Sequence, residues 1–133
     1  MAKKTVNVEE VYAEYQMIMK QIQVCDQQLQ QVDMQSQEFM IAIESMNELG
    51  NSKSGEEFLS PIASGIFVRG TILDIEKVII NVGGNVASEK TLSEAKTLMQ
   101  TQIDDLARFR EKLMNNRQML LEKYEELRSQ IAE

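Results

Sequence analysis

Phe58–Lys90 reads FLSPIASGIFVRGTILDIEKVIINVGGNVASEK, and this stretch decides the fold. Within it Ile66, Val68, Gly70 and Ile72 alternate with Phe67, Arg69, Thr71 and Leu73, and Val78, Ile80 and Val82 alternate with Ile79, Asn81 and Gly83. A period of two places every second side chain on one face of a strand. Turn residues interrupt the alternation at Pro61 to Gly65, at Asp74 to Lys77, and at Gly83-Gly84-Asn85. The expected strands are about 57–62, 66–73, 77–82 and 86–90, paired as two hairpins. Phe67, Leu73 and Ile79 leave apolar groups on the second face as well. Two hairpins with both faces apolar and with open edges are not stable alone in water, so this middle segment calls for strands from further chains.

Outward from the strands the period changes. Toward the N-terminus Val8, Val11, Tyr15, Ile18, Ile22, Cys25, Leu29, Val32, Ser36, Phe39, Ile43 and Met46 recur at steps of three and four, apolar everywhere but Ser36. Toward the C-terminus the seven-residue ladder is Leu92, Met99, Leu106, Leu113, Leu120, Leu127. An average spacing of 3.5 keeps one stripe of a helix against a partner through many turns, the coiled-coil pattern. Asn7 with Glu10, and Thr91 with Glu94, read as capping boxes that open the two helices. Gly50 is expected to close the first in a left-handed conformation. The expected helices are 8–49 and 91–132, each roughly 60 Å long. Equal lengths favour an antiparallel hairpin of helices with its ends flush, in which each chain buries both of its own stripes. Paired positions then have numbers that sum to about 140, which puts Met17 near Lys123, Met19 near Leu121 and Tyr12 near Arg128.

The second stripe leaves a choice. Its companion row is either Ala95, Gln102, Phe109, Asn116 or Ile103, Arg110, Arg117, Tyr124, Ile131, and each contains polar members. Asp104 with Arg108 and Glu125 with Arg128 sit at spacings for helix-surface ion pairs. Gln27, Gln28, Gln30, Gln31, Gln35 and Gln37 are interleaved with Leu29, Val32 and Phe39, and so form the wet face of the first helix.

Composition bounds the function. The 133 residues carry a net charge of -7, three Tyr, four Phe and no Trp. So few aromatics argue against a large globular core, and an acidic balance disfavours nucleic acid and anionic membranes as partners. An RNA-gripping helical arm would need a basic stripe, which is not seen. One cysteine, Cys25, lies at a seam position and cannot form an internal disulfide, which fits a reducing compartment. No signal-peptide pattern or bilayer-length apolar run is read, and the cytoplasm is expected.

No catalytic constellation emerges, and no cofactor or metal is expected. Histidine, the commonest general base and metal ligand, is absent. Gly83-Gly84 belongs to a hairpin turn, because neither a phosphate-loop nor a dinucleotide fingerprint follows it.

The off-seam apolar residues suggest a binding role instead. Tyr12, Met17, Met19, Met114, Met119 and Leu121 collect toward the termini of the helical hairpin, and methionine surfaces adapt to many apolar shapes. Met40, Ile41 and Leu49 lie nearer the strands and are expected to pack beneath them.

Phe58, Leu59, Pro61, Ile62, Gly65, Phe67, Val68, Asp74, Val78 to Gly83, Val86, Ala87, Glu89 and Ala95, set between long heptad helices, resemble the alpha subunit of archaeal-type prefoldin. The resemblance covers essentially the whole chain, as a single domain of residues 1–133. It implies a mainly α fold, a long antiparallel two-helix coiled coil joined by two β-hairpins that assemble with other subunits into a β-barrel. It further implies a hexamer of two alpha and four beta subunits. The activity it implies is that of an ATP-independent holdase that grips non-native proteins at the coiled-coil tips and passes them to a group II chaperonin. Combined with the pattern above, the expected oligomerisation residues are Ile66, Phe67, Val68, Ile72, Val78, Ile79, Ile80 and Val82. Phe67 and Ile79 are expected on the face opposite the others. The expected client contacts are Val8, Val11, Tyr12, Met17, Leu121, Tyr124, Leu127 and Ile131. The competing reading is a passive coiled-coil scaffold or adaptor assembled through the same hairpins.

Overall fold

The computed structural model describes residues 7–132, apart from the side chain of Val82. In chain order the elements are α1 (Val8–Gly50), β1 (Glu57–Ala63), β2 (Ile66–Thr71), β3 (Lys77–Gly83), β4 (Val86–Thr91) and α2 (Leu92–Ala132). They form two compact units. The first holds α1 up to Ser36 and α2 from Asp105 onward, and the second holds Gln37–Asp104 with all four strands.

Local chemistry sets the helix ends. Asn7 Oδ1 accepts from the backbone N–H of Glu9 at 3.1 Å and of Glu10 at 3.4 Å, and Thr91 Oγ1 accepts from the N–H of Glu94 at 3.1 Å. These are the forward halves of the two expected capping boxes, and each satisfies donors that the first helical turn leaves free. The C-terminus of α1 differs from expectation. Gly50 remains helical without a positive φ. Asn51 N–H donates to Glu48 O at 3.1 Å and Ser52 N–H to Leu49 O at 3.0 Å, so tight three-residue turns satisfy the last carbonyls in place of a left-handed glycine.

In the first unit the helices run antiparallel over a shared seam. Ile18, Cys25, Leu29 and Val32 of α1 and Leu113 and Leu127 of α2 are buried. Cys25, Leu29, Val32 and Leu113 form one cluster with Leu106 packed against it, and the Cys25 thiol donates to Leu113 O at 3.3 Å. Burying each large aliphatic side chain here is worth about 1.5–3 kcal/mol. The row Ala95, Gln102, Phe109, Asn116 is buried only at Ala95. In the row Ile103, Arg110, Arg117, Tyr124, Ile131, the residues Ile103, Arg117 and Tyr124 are half-buried while Arg110 and Ile131 are exposed, so neither row is buried throughout. Arginines are tolerated in this row because their heads reach carboxylates on the other helix: Arg110 Nε meets Asp33 at 2.8 Å and Arg117 Nε meets Asp26 at 2.5 Å. Lys123 Nζ meets Glu14 at 2.9 Å, one turn from Met17 and in keeping with the expected register. All three bridges carry the acid on α1 and the base on α2. On the surface of α2, Arg108 pairs with Asp105, not Asp104, which instead accepts from Gln100 at 3.1 Å. The Glu125–Arg128 pair is present at 3.8 Å.

The second unit contains two antiparallel hairpins of matching construction. Glu57 faces Thr71 and Ala63 faces Ile66 in one, and Lys77 faces Thr91 and Gly83 faces Val86 in the other. Each ladder slips by one residue near its turn, between Pro61 and Ala63 and between Asn81 and Gly83. Each also extends by one corresponding bond at its open end, Ile72 N–H to Glu56 O at 2.9 Å and Leu92 N–H to Glu76 O at 3.3 Å. Paired bulges at the same place increase local twist in both. The second turn is built by Gly84 and Asn85, with φ of 58° and 64°, the positive values that a two-residue primed turn requires. β2 ends at Thr71, earlier than the alternation through Leu73 predicts, and Leu73 O instead accepts from the Ser54 hydroxyl at 2.9 Å. One cross-strand pair is unusually tight. A Cβ placed on Gly70 would lie 2.7 Å from the ring of Phe58, its partner in the ladder, so the ring covers a residue that must lack a side chain.

Candidate functional site

Two exposed surfaces carry the chemistry that the fold leaves unused, one in each unit. In the first unit the seam is filled, yet large apolar side chains remain outside it. Val8 is 70% exposed, Tyr12 50%, Met17 60% and Met119 68%, and Met19 and Met114 are also exposed. Val11 and Leu121 are half-buried, and Ile131 is at the margin of exposure. Two of the expected client residues take part in packing between the helices, one buried and one half-buried. Leu127, at the end of the heptad ladder of α2, is only 5% exposed. Tyr124 stacks on Tyr15, ring centroids 5.0 Å apart, and their hydroxyls are 3.0 Å apart. Tyr12 extends the stack, 6.4 Å from Tyr15. Val24, Met34 and Phe109 are also exposed, and sequence reading does not single them out for this surface. The available signal is that all three are apolar and off the α1 and α2 ladders that the structure adopts.

Polar contacts tune the edge of this surface. The hydrogen bond with Tyr124, reinforced by desolvation, raises the Tyr15 pKa above that of a free phenol. The bond with Glu14 and then its negative charge raise that of Lys123. Asp26 does the same for Arg117, keeping the guanidinium charged. Such groups orient and hold the helices. Among the described residues no cluster of cysteine and acidic side chains is arranged to hold a metal.

The second surface is the strand pair in each hairpin. Ile66, Phe67, Val68 and Ile79 are exposed, as are Phe58, Leu59, Ile62, Leu73 and Val86. Ile72, Val78 and Ile80 are half-buried, and the Val82 side chain lies outside the described residues. In β3 the half-buried and exposed positions alternate, as a two-faced strand requires, while β2 is exposed along almost its whole length. Of the residues expected to pack beneath the strands, Leu49 is half-buried, whereas Met40 and Ile41 are exposed. An apolar patch of this extent is characteristic of a surface that meets another protein. Among the described residues neither hairpin finds a further strand: each sheet has two strands, β1 with β2 and β3 with β4.

No helix among the described residues is long and apolar enough to cross a membrane. Comparison with known proteins agrees with the pairing of hairpins and heptads. The family model described as prefoldin subunit matches residues 7–133. Prefoldin subunit alpha 1 of Thermococcus kodakarensis is 30% identical over 105 residues, covering 79% of this chain and 72% of that protein. Prefoldin subunit 5 of Homo sapiens is 36% identical over 75 residues, 56% of this chain and 49% of that one. In three dimensions the fold is similar to a chain in the cryo-EM structure of filamentous PFD from Methanocaldococcus jannaschii, with a TM-score of 0.78 at 23% identity, covering 92% of this chain and 98% of that chain. With two bulged hairpins between two heptad helices, and a family match across nearly its whole length, the chain belongs to the prefoldin family and is an alpha-type subunit.

Proposed function

We propose that this subunit, chaperone-type by family, is part of an ATP-independent holdase. Its coiled-coil unit captures non-native proteins, and the assembly delivers them to a group II chaperonin in the cytoplasm. The observation that carries this reading is the exposure of Val8, Tyr12, Met17 and Met119 beside a seam that is already filled. Apolar side chains left outside a satisfied core are free to cover apolar segments of another chain, and methionine adapts to their varied shapes. Each contact is weak, so useful retention of a client requires several coiled coils acting together. The strand surface supplies that multivalency: Ile66, Phe67, Val68, Ile72, Val78, Ile79 and Ile80, with Val82, join other subunits, beta subunits in an assembly of two alpha and four beta chains.

The test is suppression of aggregation of a denatured model protein by the assembled complex, without nucleotide. Replacing Val8 and Tyr12 by Ser and Met17 and Met119 by Gln should weaken suppression while oligomer mass and helix content stay unchanged. Removing residues 1–11 and 122–133 together should abolish it, although that deletion also takes seam residues Tyr124 and Leu127. Undiminished suppression by the four-residue variant would reject the reading. The competing reading is a passive scaffold without affinity for unfolded chains. It predicts assembly with no suppression at all.

A further inference from the structure

Lys20 is the one basic residue of α1, which otherwise carries only acids among its charged side chains. The bases that α2 presents to that helix are engaged: Arg110 with Asp33, Arg117 with Asp26, Lys123 with Glu14. Lys20 itself is exposed and forms no ion pair among the described residues. No acid stands three or four residues away on its own helix, where Gln16, Met17, Gln23 and Val24 are found. Its position is also distinctive in shape. It lines an open groove of about 510 Å³ together with apolar Met17, Val24 and Leu120 and polar Gln21 and Gln28. A second groove of about 570 Å³, lined with Met19, Gln16 and Gln23, also has Lys20 in its wall.

We infer that Lys20 makes these grooves selective for client segments in which a carboxylate is flanked by large apolar side chains. The inference rests on the holdase reading and names the client chemistry within it. Met17, Val24 and Leu120 accept an apolar side chain, the glutamine amides hydrogen-bond to the extended backbone beside it, and the ammonium pairs with Asp or Glu. The surroundings sharpen the discrimination. A protein of net charge -7 repels an acidic segment at a distance, so a client carboxylate gains at this groove what it lacks over most of the surface. A client lysine meets the opposite situation, repelled at the groove itself.

The test uses the full-length chain in its native oligomer and three fluorescent peptides that share one apolar extended sequence with Glu, Gln or Lys at the centre. The Glu peptide should bind about two- to five-fold more tightly than the Gln peptide, as befits one solvent-exposed ion pair. The Lys peptide should bind most weakly. The preference should vanish in K20M, which keeps the stem, reverse in K20E, and fade with added salt. Equal binding of Glu and Gln peptides, or a preference that survives in K20M, overturns the role of Lys20. Failure of all three peptides to bind, with no suppression of aggregation, rejects the holdase reading instead.

Discussion

The coiled-coil unit and the strand unit solve the burial problem in opposite ways. In the first, one chain supplies both sides of the seam. Cys25, Leu29, Val32 and Leu113 are shielded, and the acids of α1 find their bases on α2. In the second, each strand pairs along one edge only, and Phe67 is 58% exposed, Ile79 72% and Leu73 87%. Hydrogen bonding therefore shapes the hairpins locally, while their apolar side chains contribute little burial within the chain. The difference separates a unit that satisfies itself from one that does not: the helices bury their own seam, and the strands leave their apolar side chains open to a partner.

The largest effect should come from the strands. Val68→Thr with Ile79→Thr retains β-branching and strand propensity but removes apolar surface. Stability of an isolated chain should change by no more than about 0.5 kcal/mol per site, since both residues are exposed. Native mass measurement should nonetheless find the oligomer lost. An intact oligomer would break the contrast, because it would place assembly outside these exposed strand residues. In the coiled coil the same logic runs in reverse. Leu113→Ala removes a buried seam residue and should cost about 2–5 kcal/mol in denaturant unfolding, whereas Met119→Ala should be close to neutral.

A smaller effect tests the likeness of the two hairpins. Gly70→Ala must push Phe58 aside and should cost about 1–3 kcal/mol. The corresponding place in the second hairpin holds Lys90 opposite Val78 and has no such restriction. Combining Gly70→Ala with Phe58→Leu should recover much of the loss, measured by thermal unfolding. No recovery would show that the backbone at 70, rather than the ring, sets the requirement.

The sequence made the heptad ladders and the hairpins legible because both rest on local periodicity. Other features depend on a second element that periodicity does not supply. Arg110 and Arg117 look wrong for a seam until Asp33 and Asp26 are seen opposite them. Phe109 looks right for one, and is exposed. Asp104 and Asp105 stand at equally good spacings from Arg108, and only the side-chain geometry selects Asp105. Among the candidate client residues, Val8, Tyr12 and Met17 were readable as exposed, but Leu127 was not readable as buried by position alone. Ladder membership alone does not decide, since Val8 and Leu127 both belong to the ladders and are 70% and 5% exposed. The bulges were hidden because one extra residue near a turn scarcely disturbs a period of two.

The smallest predicted effect is a pH dependence confined to the coiled-coil unit. Tyr15 has a raised pKa through its bond with Tyr124, so the folded state favours the neutral phenol. Lys123 has a raised pKa through its bond with Glu14, so the folded state favours the charged ammonium. In both cases the folded chain holds its proton to higher pH than the unfolded chain. The associated stability is therefore fully present below the unfolded values, about 10 for Tyr and about 10.4 for Lys, and is lost as pH rises through the folded ones. Urea unfolding should give a flat profile from neutral pH to about 10 and a decline above it. Tyr15→Phe and Lys123→Met should each flatten the decline, and the double variant more than either. The spectroscopic readout is selective, since all three tyrosines, Tyr12, Tyr15 and Tyr124, lie in this unit. Tyrosinate absorbance should appear at higher pH in the folded chain than in urea, and Tyr124→Phe should move that of Tyr15 back toward the free phenol. Coincident folded and unfolded titrations would remove the aromatic pair from the list of contacts that hold the helices together.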